Sequence, residues 1–301
     1  MHKILIIFGP TGIGKNNLAL KISKLLNNVS ILNSDSRQYY KNISLCINSP
    51  LNISSLSSLH FGYSVMPLNI LFNYSKFIDF SEYFIEKSIS LNKIHIIVGG
   101  TGLYLNLWLN KNVYNFSIDY FIKKNINIVF NQYSNISNFL SNFEFNKIHD
   151  YRLNELFKLI RILELILINK NSYNNFFFFK KKFKNFRYIF LFLYADKNKI
   201  YNNIKKRVFS DFNFFILDQV LNYNNSFLDY FIFDKIIGIN HYLKFKNNFL
   251  FFKDILNQIF FENINFIDQQ EKWFKGKKDC YFLNAYSNNL IFDILKLFFF
   301  L

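Results

Sequence analysis

The stretch of this chain best equipped to do chemistry is Gly9-Pro10-Thr11-Gly12-Ile13-Gly14-Lys15-Asn16. Seven of its eight positions fit the phosphate-loop pattern G-x-x-x-x-G-K-[ST], and Asn16 puts an amide where a hydroxyl is expected. Glycines in such a loop let backbone N–H groups curl around an anion. The helix that follows adds partial positive charge, and the lysine adds a full one. A phosphorylated ligand is expected here, but the loop alone leaves open what is done to it. Two further groups have chemical promise. Asp35, within Asn33-Ser34-Asp35-Ser36-Arg37-Gln38-Tyr39-Tyr40, is a carboxylate just past an apolar run. Thr101 follows another such run, within Gly99-Gly100-Thr101-Gly102-Leu103-Tyr104. A carboxylate in a ligand cleft can take a proton, and both residue types can equally well cap helices.

Each of these groups needs an element to hold it. Ile4–Phe8 has the length of a buried strand, and Asn17–Leu26 is apolar at Leu18, Leu20, Ile22, Leu25 and Leu26, as a helix would be. Val29–Leu32 reads as a second strand, Phe80–Ser90 as a helix and Ile94–Val98 as the clearest strand of the chain. Three strand ends then deliver Lys15, Asp35 and Thr101 to the carboxyl edge of one parallel sheet, where open α/β folds bind ligands. The segment from Cys46 to Asn73 reads as loop with short elements.

From residue 115 to 186 the alternation stops, and asparagine-rich stretches frame one helical segment, Tyr151–Asn169. Asn154, Lys158 and Arg161 fall on one of its faces. Either Arg161 pairs with Glu164 on a solvated surface, or Lys158 and Arg161 grip a phosphate backbone; the spacing leaves both open. Arg187–Ala195 reads as a return to the sheet, with Asp196 capping a helix Lys197–Phe209 that carries Lys205, Lys206 and Arg207. Ile236–Asn240 reads as a turn between helical segments, and everything from Ile255 onward as helical. Residues 1–114 and 187–301 thus form the two parts of a core, with 115–186 inserted as a lobe.

Composition limits the function classes. The chain has 301 residues and a formal net charge of +16, the right sign for a nucleic-acid partner. Its 41 Phe and 19 Tyr, with abundant Asn, Ile and Lys, all use A/T-rich codons, so part of that basicity reflects base composition. Two cysteines, Cys46 and Cys280, are too few for a disulfide framework and fit a reducing, cytoplasmic setting. The first apolar run is too short for a signal peptide, and no run reaches about eighteen apolar residues, so no membrane span is expected.

Taken in order, these residues resemble the tRNA dimethylallyltransferases, the isopentenyl transferases that modify the adenosine beside the anticodon. Gly9–Lys15 matches the family's G-P-T-[AG]-x-G-K, Ser34–Tyr40 is similar to its S-x-D-S-[RA]-Q-x-Y element with Asn33-Ser34-Asp35 in place of Ser-Ala/Val-Asp, and Val98–Tyr104 matches V-G-G-T-G-L-Y throughout. Weaker matches follow at Arg161–Glu164, Arg207-Val208, Ile237-Gly238 and Gln270 with Trp273-Phe274-Lys275. The resemblance implies an α/β, P-loop NTPase-like parallel sheet core with an inserted helical lobe, acting as a monomer in the cytoplasm. It implies dimethylallyl diphosphate held by Gly9, Pro10, Thr11, Gly12, Ile13, Gly14, Lys15, Asn16 and Arg207. Asp35 would be the general base, with Thr101 orienting it or the target base. The tRNA anticodon stem-loop would meet Asp35, Ser36, Arg37, Gln38, Thr101, Phe157, Lys158, Leu159, Ile160 and Arg161. Mg²⁺ would be the metal, bound weakly through Asn16.

Three departures stand out. Asn16 replaces the metal-binding hydroxyl, which an amide oxygen replaces only in part. Lys158 stands where arginine is usual. The basic T-R-x-x-A-K-R-Q motif has become Asn263–Gln270, with Asp268 of the wrong sign for RNA. The competing readings are a small-molecule P-loop kinase and a folded, catalytically eroded RNA-binding relic.

Overall fold

Strand β1, His2–Phe8, is apolar and buried throughout Ile4–Phe8, as a strand covered on both faces must be. It occupies an inner position of a six-stranded, wholly parallel sheet. In the computed structural model the described residues are 2–41, 59–67, 72–100, 102, 104, 186–210, 236–246, 251–275 and 280–300. They belong to one compact unit built from Met1–Asn110 and Lys181–Leu301. The expected lobe, with its helix Tyr151–Asn169, lies outside the described residues except for Phe186, which opens a strand of the core sheet.

The other strands are β2 (Val29–Asn33), β3 (Leu59–Phe61), β4 (Ile94–Gly99), β5 (Phe186–Tyr194) and β6 (Tyr281–Asn284), in the spatial order β3-β2-β4-β1-β5-β6. The chain leaves β1 toward β2, returns to insert β4 between them, then crosses to β5 on the far side. The carboxyl ends of β1 and β4 therefore flank the switch point of the topology, with Phe8 paired to Gly99 and Asn33 to Val98.

Helix α1 (Lys15–Leu26) packs on β1, β2 and β4, and α2 (Tyr74–Ser90) packs on β2 and β4. Helix α2 starts six residues before the expected Phe80, because the Asn73 side chain accepts the Lys76 N–H and caps it. Asp196 caps α3 (Lys197–Val208) as expected, accepting from the Asn198 N–H at 2.9 Å. Helices α4 (Ile239–Lys246), α5 (Phe252–Lys275) and α6 (Leu290–Phe300) complete the described elements. The expectation of unbroken helix beyond Ile255 fails at β6, a short edge strand paired to β5. Its residues are mostly exposed, and Tyr281-Phe282-Leu283 is too short an apolar run to mark a strand.

Helix α5 reaches the carboxyl edge of the sheet through its own last turns. Ile255, Ile259, Asn263, Ile267, Gln270 and Phe274 form one buried stripe along it. Phe274 stacks on Phe8 at 4.3 Å between ring centroids and lies 5.3 Å from Phe192, fixing the end of α5 to the ends of β1 and β5.

At the opposite end of β4, His95 is buried between Phe84, His2 and Phe186, and among the described residues neither ring nitrogen has a hydrogen-bond partner. Burial, helped by His2, lowers its pKa to about 4. The unfolded chain therefore takes up a proton on His95 between about pH 6.5 and 4 that the folded chain refuses. The contribution to stability is complete above pH 6.5 and is lost progressively as pH falls through that window, amounting to about 3 kcal/mol at most. Urea melts at pH 7 and pH 4.5 should show this loss, and His95→Phe should shrink it.

Candidate active site

The loop after β1 is shaped by its glycines. Gly14, at φ 95°, takes the left-handed conformation that opens α1, and it brings no side chain to cap the first amides of that helix. Lys15 folds back so that Nζ donates to the carbonyls of Gly9 and Pro10, each at 2.9 Å. Helix α3 lies across the loop, where Asn203 donates to the Gly12 carbonyl at 3.0 Å and also to the Tyr286 hydroxyl at 2.7 Å.

The loop after β2 presents Asp35. Asn33 holds this turn from within, accepting the Asp35 N–H at 2.8 Å and donating to the carbonyls of Asp35 and Gly62. The Asp35 Oδ1 accepts the Arg37 N–H at 3.0 Å, which fixes the carboxylate's rotamer. The turn sits against β4 so closely that a side chain at Gly99 would collide with Ser34 and with the Asp35 amide 2.8 Å away. This requirement for bare backbone is the physical content of the glycine pair at 99 and 100.

Aromatic side chains surround this carboxylate. Tyr39 stacks on Phe72 at 3.7 Å, and Tyr104 packs on Phe77 and Tyr74. Burial raises the hydroxyl pKa of Tyr39, Tyr63 and Tyr104, the last to about 12, and the charge of Asp35 pushes all three further up. They remain neutral, and they make an apolar wall with polar tips beside the acid.

The cations complete the arrangement. Burial lowers the pKa of Lys15 to about 8, with Asp35 pulling it back up and Arg207 pressing it further down. Arg207, reaching in from the last turn of α3, is itself lowered to about 10 by burial. Lys15 thus feels the charges of both Asp35 and Arg207, the first as expected from their strand ends. Among the described residues, Lys15, Arg207 and Asp35 are each partly buried here. A multiply charged anion at the loop would be drawn by both cations.

Of the residues expected to meet RNA, Ser36 and Gln38 are buried, and Ser36 hydrogen-bonds Tyr104. Arg37 is partly exposed. Thr101, Phe157, Lys158, Leu159, Ile160 and Arg161 lie outside the described residues. Asp268 is no isolated acid facing a polyanion, since it pairs with Lys197 of α3 at 2.6 Å, and Glu271 stands 3.8 Å from the same ammonium.

Sequence reasoning missed two amides on α5. Gln270 accepts the Thr11 N–H at 2.9 Å and donates to the Gly100 carbonyl at 3.1 Å, tying the first junction to the third. Asn263 accepts from Arg207 at 2.6 Å. Gln270 stood only within a weak terminal match, and Asn263 only as part of a lost basic motif. Their distance from residues 9–15 in sequence hid both.

Residues 38–277 match the family described as IPP transferase. Among curated proteins, the chain is 25% identical to the tRNA dimethylallyltransferase of Fusobacterium nucleatum over 94% of this chain and 92% of that one. It is 24% identical to the tRNA dimethylallyltransferase of Finegoldia magna, covering 94% and 91%. Among solved structures it resembles the full-length tRNA isopentenylpyrophosphate transferase of Bacillus halodurans at TM-score 0.65 and 19% identity, covering 100% of this chain and 95% of that one. It also resembles a eukaryotic dimethylallyltransferase acting on tRNA at TM-score 0.71 and 22% identity, covering 95% and 74%.

Proposed function

This chain belongs to the IPP transferase family, and on that footing we propose that it transfers a dimethylallyl group from dimethylallyl diphosphate to N6 of the adenosine 3′ to the anticodon in tRNA. The observation that carries the reading is a phosphate loop whose Lys15, folded onto the Gly9 and Pro10 carbonyls, feels both the Asp35 carboxylate and the Arg207 guanidinium.

In this reaction the adenine N6 attacks the allylic carbon, a nitrogen–carbon bond forms, and the carbon–oxygen bond to diphosphate breaks. Negative charge grows on the departing diphosphate. The loop amides, Lys15 and Arg207 stabilise it, and do so more strongly in a desolvated site than in water. The proton released by N6 goes to Asp35, whose rotamer the Arg37 amide already fixes. Thr101 would orient Asp35 or the base. The adenine must leave its stack to reach the site, and Tyr104, the partly exposed member of the aromatic group beside Asp35, offers it a surface. Arg37 is the side chain of the Asp35 turn with surface left for the tRNA backbone. Phe157–Arg161 would supply contacts from the lobe. The protein would work as a monomer in the cytoplasm.

Mg²⁺ fits this site only jointly with substrate. Among the described residues no cluster of three or more His, Cys, Asp or Glu could hold a metal, whereas Asn16 in the first turn of α1 offers one neutral oxygen. Asn16 would hold Mg²⁺ together with diphosphate oxygens, and the ion would supply further charge neutralisation on the leaving group. Since no phosphoryl group is transferred, Asn16→Thr should change kcat/KM by no more than a few fold, while lowering the Mg²⁺ concentration needed for half-maximal activity.

Purified protein incubated with dimethylallyl diphosphate and unmodified tRNA should release diphosphate and form isopentenyladenosine. ATP consumption with a small acceptor, and none of the modified nucleoside, would instead favour a kinase.

A further inference from the structure

We infer that Asn263 is a positioning residue that aims Arg207 at the leaving diphosphate through a neutral acceptor, so that the contact itself cancels none of the guanidinium's charge. This role rests on the function proposed above and extends it to a residue outside the three sheet-edge junctions.

Helix α5 carries four acids, Asp254, Glu262, Asp268 and Glu271, and none of them lies in its buried stripe. Asp268 and Glu271 face Lys197, Glu262 lies 2.9 Å from His241, and Asp254 is exposed. The buried stripe carries neutral groups, with Asn263 and Gln270 as its polar residues. Arg207 meets that stripe. Its Nη2 donates to the Asn263 Oδ1 at 2.6 Å, and the Asn263 Nδ2 donates to the Ile259 carbonyl at 2.8 Å. The second bond decides which end of the amide faces Arg207, so the acceptor is set before any ligand arrives.

The choice of amide over carboxylate matters electrostatically. An aspartate at 263 would hold Arg207 at least as firmly, but its charge would offset the guanidinium and weaken the pull on an anion. An amide fixes the direction of the side chain and adds no charge of its own to offset the guanidinium's. Gln270 treats the loop in the same way, as one neutral side chain bridging Thr11 and Gly100. A position that looked like erosion of a basic RNA motif is, in this chain, part of the wall of the anion site.

The test compares wild type with Asn263→Ala, Asn263→Asp and Asn263→Thr. Binding of inorganic diphosphate and steady-state prenyl transfer are both measured, with thermal melts to confirm folding. Asn263→Ala should weaken diphosphate binding by about tenfold, the weight of one hydrogen bond to a charged group. Asn263→Asp should weaken it at least as much although the contact is preserved, and Asn263→Thr, which keeps an oxygen acceptor, should recover part of the loss. In an Arg207→Ala background, Asn263→Ala should cost nothing further. Wild-type affinity in Asn263→Asp, or additive losses in the double variant, would overturn the inference, since packing alone predicts both. Diphosphate binding is read without transfer. Wild type that binds diphosphate yet modifies no tRNA would therefore count against the proposed function, and not against the role of Asn263.

Discussion

Lys15→Met should lower prenyl transfer by about a thousandfold, the upper end of what removing one preorganised stabiliser of a developing anion costs. Methionine keeps the length and apolar stem of lysine and removes its charge. The loss should be concentrated in kcat, because the leaving diphosphate is more negative in the transition state than in the bound substrate. A stability readout separates this from misfolding. Lys15 is charged against its burial, with a pKa brought down to about 8, so the folded chain holds that proton less tightly than the unfolded one. Below about pH 8 this works against the folded state, and Lys15→Met should melt no lower than wild type at pH 7. The same shift predicts a pH limb. In wild type kcat/KM should fall as pH rises through about 8, when Lys15 loses its charge, and Lys15→Arg should move that limb upward.

Asp35→Asn should lower kcat by roughly 10² to 10⁴, the usual weight of a general base. The isosteric amide can still accept the Arg37 N–H and keep the turn, so the loss reports proton transfer. Two side effects distinguish this from damage to the site. Diphosphate should bind no worse, because a negative charge beside Lys15 has gone. Asp35 also raises the Lys15 pKa, so its removal should move the basic limb below pH 8. A variant that loses diphosphate affinity in step with kcat would mean that Asp35 holds the cradle together and does not take the proton.

What could be read from the sequence is what local physics encodes. Ile4–Phe8 and Ile94–Val98 declare themselves because a strand buried on both faces is predominantly apolar, His95 being the one polar residue of the two runs, and the glycines beyond them mark where the backbone has to turn tightly. From these alone the sheet edge carrying Lys15 and Asp35 can be assembled. The start of α2 was harder, because its cap, Asn73, is one asparagine among many in this chain. Strand β6 was invisible, being an exposed edge strand of four residues, Tyr281–Asn284. The amides at 263 and 270 could not be assigned because their meaning is entirely tertiary. Neutral side chains carry no charge pattern, and their partners lie more than fifty residues away in sequence. Asp268 teaches the same lesson with opposite sign. Its charge looks hostile to RNA in the sequence, yet Lys197 of another helix lies against it.

The decisive experiment is mass spectrometry of digested tRNA from cells that lack their own isopentenyl transferase and express this chain. Isopentenyladenosine should return with the wild-type chain, and should be absent when Asp35→Ala is expressed at the same level. Folded wild-type protein in such cells, with no isopentenyladenosine in their tRNA, would contradict the assignment of prenyl transfer to this site.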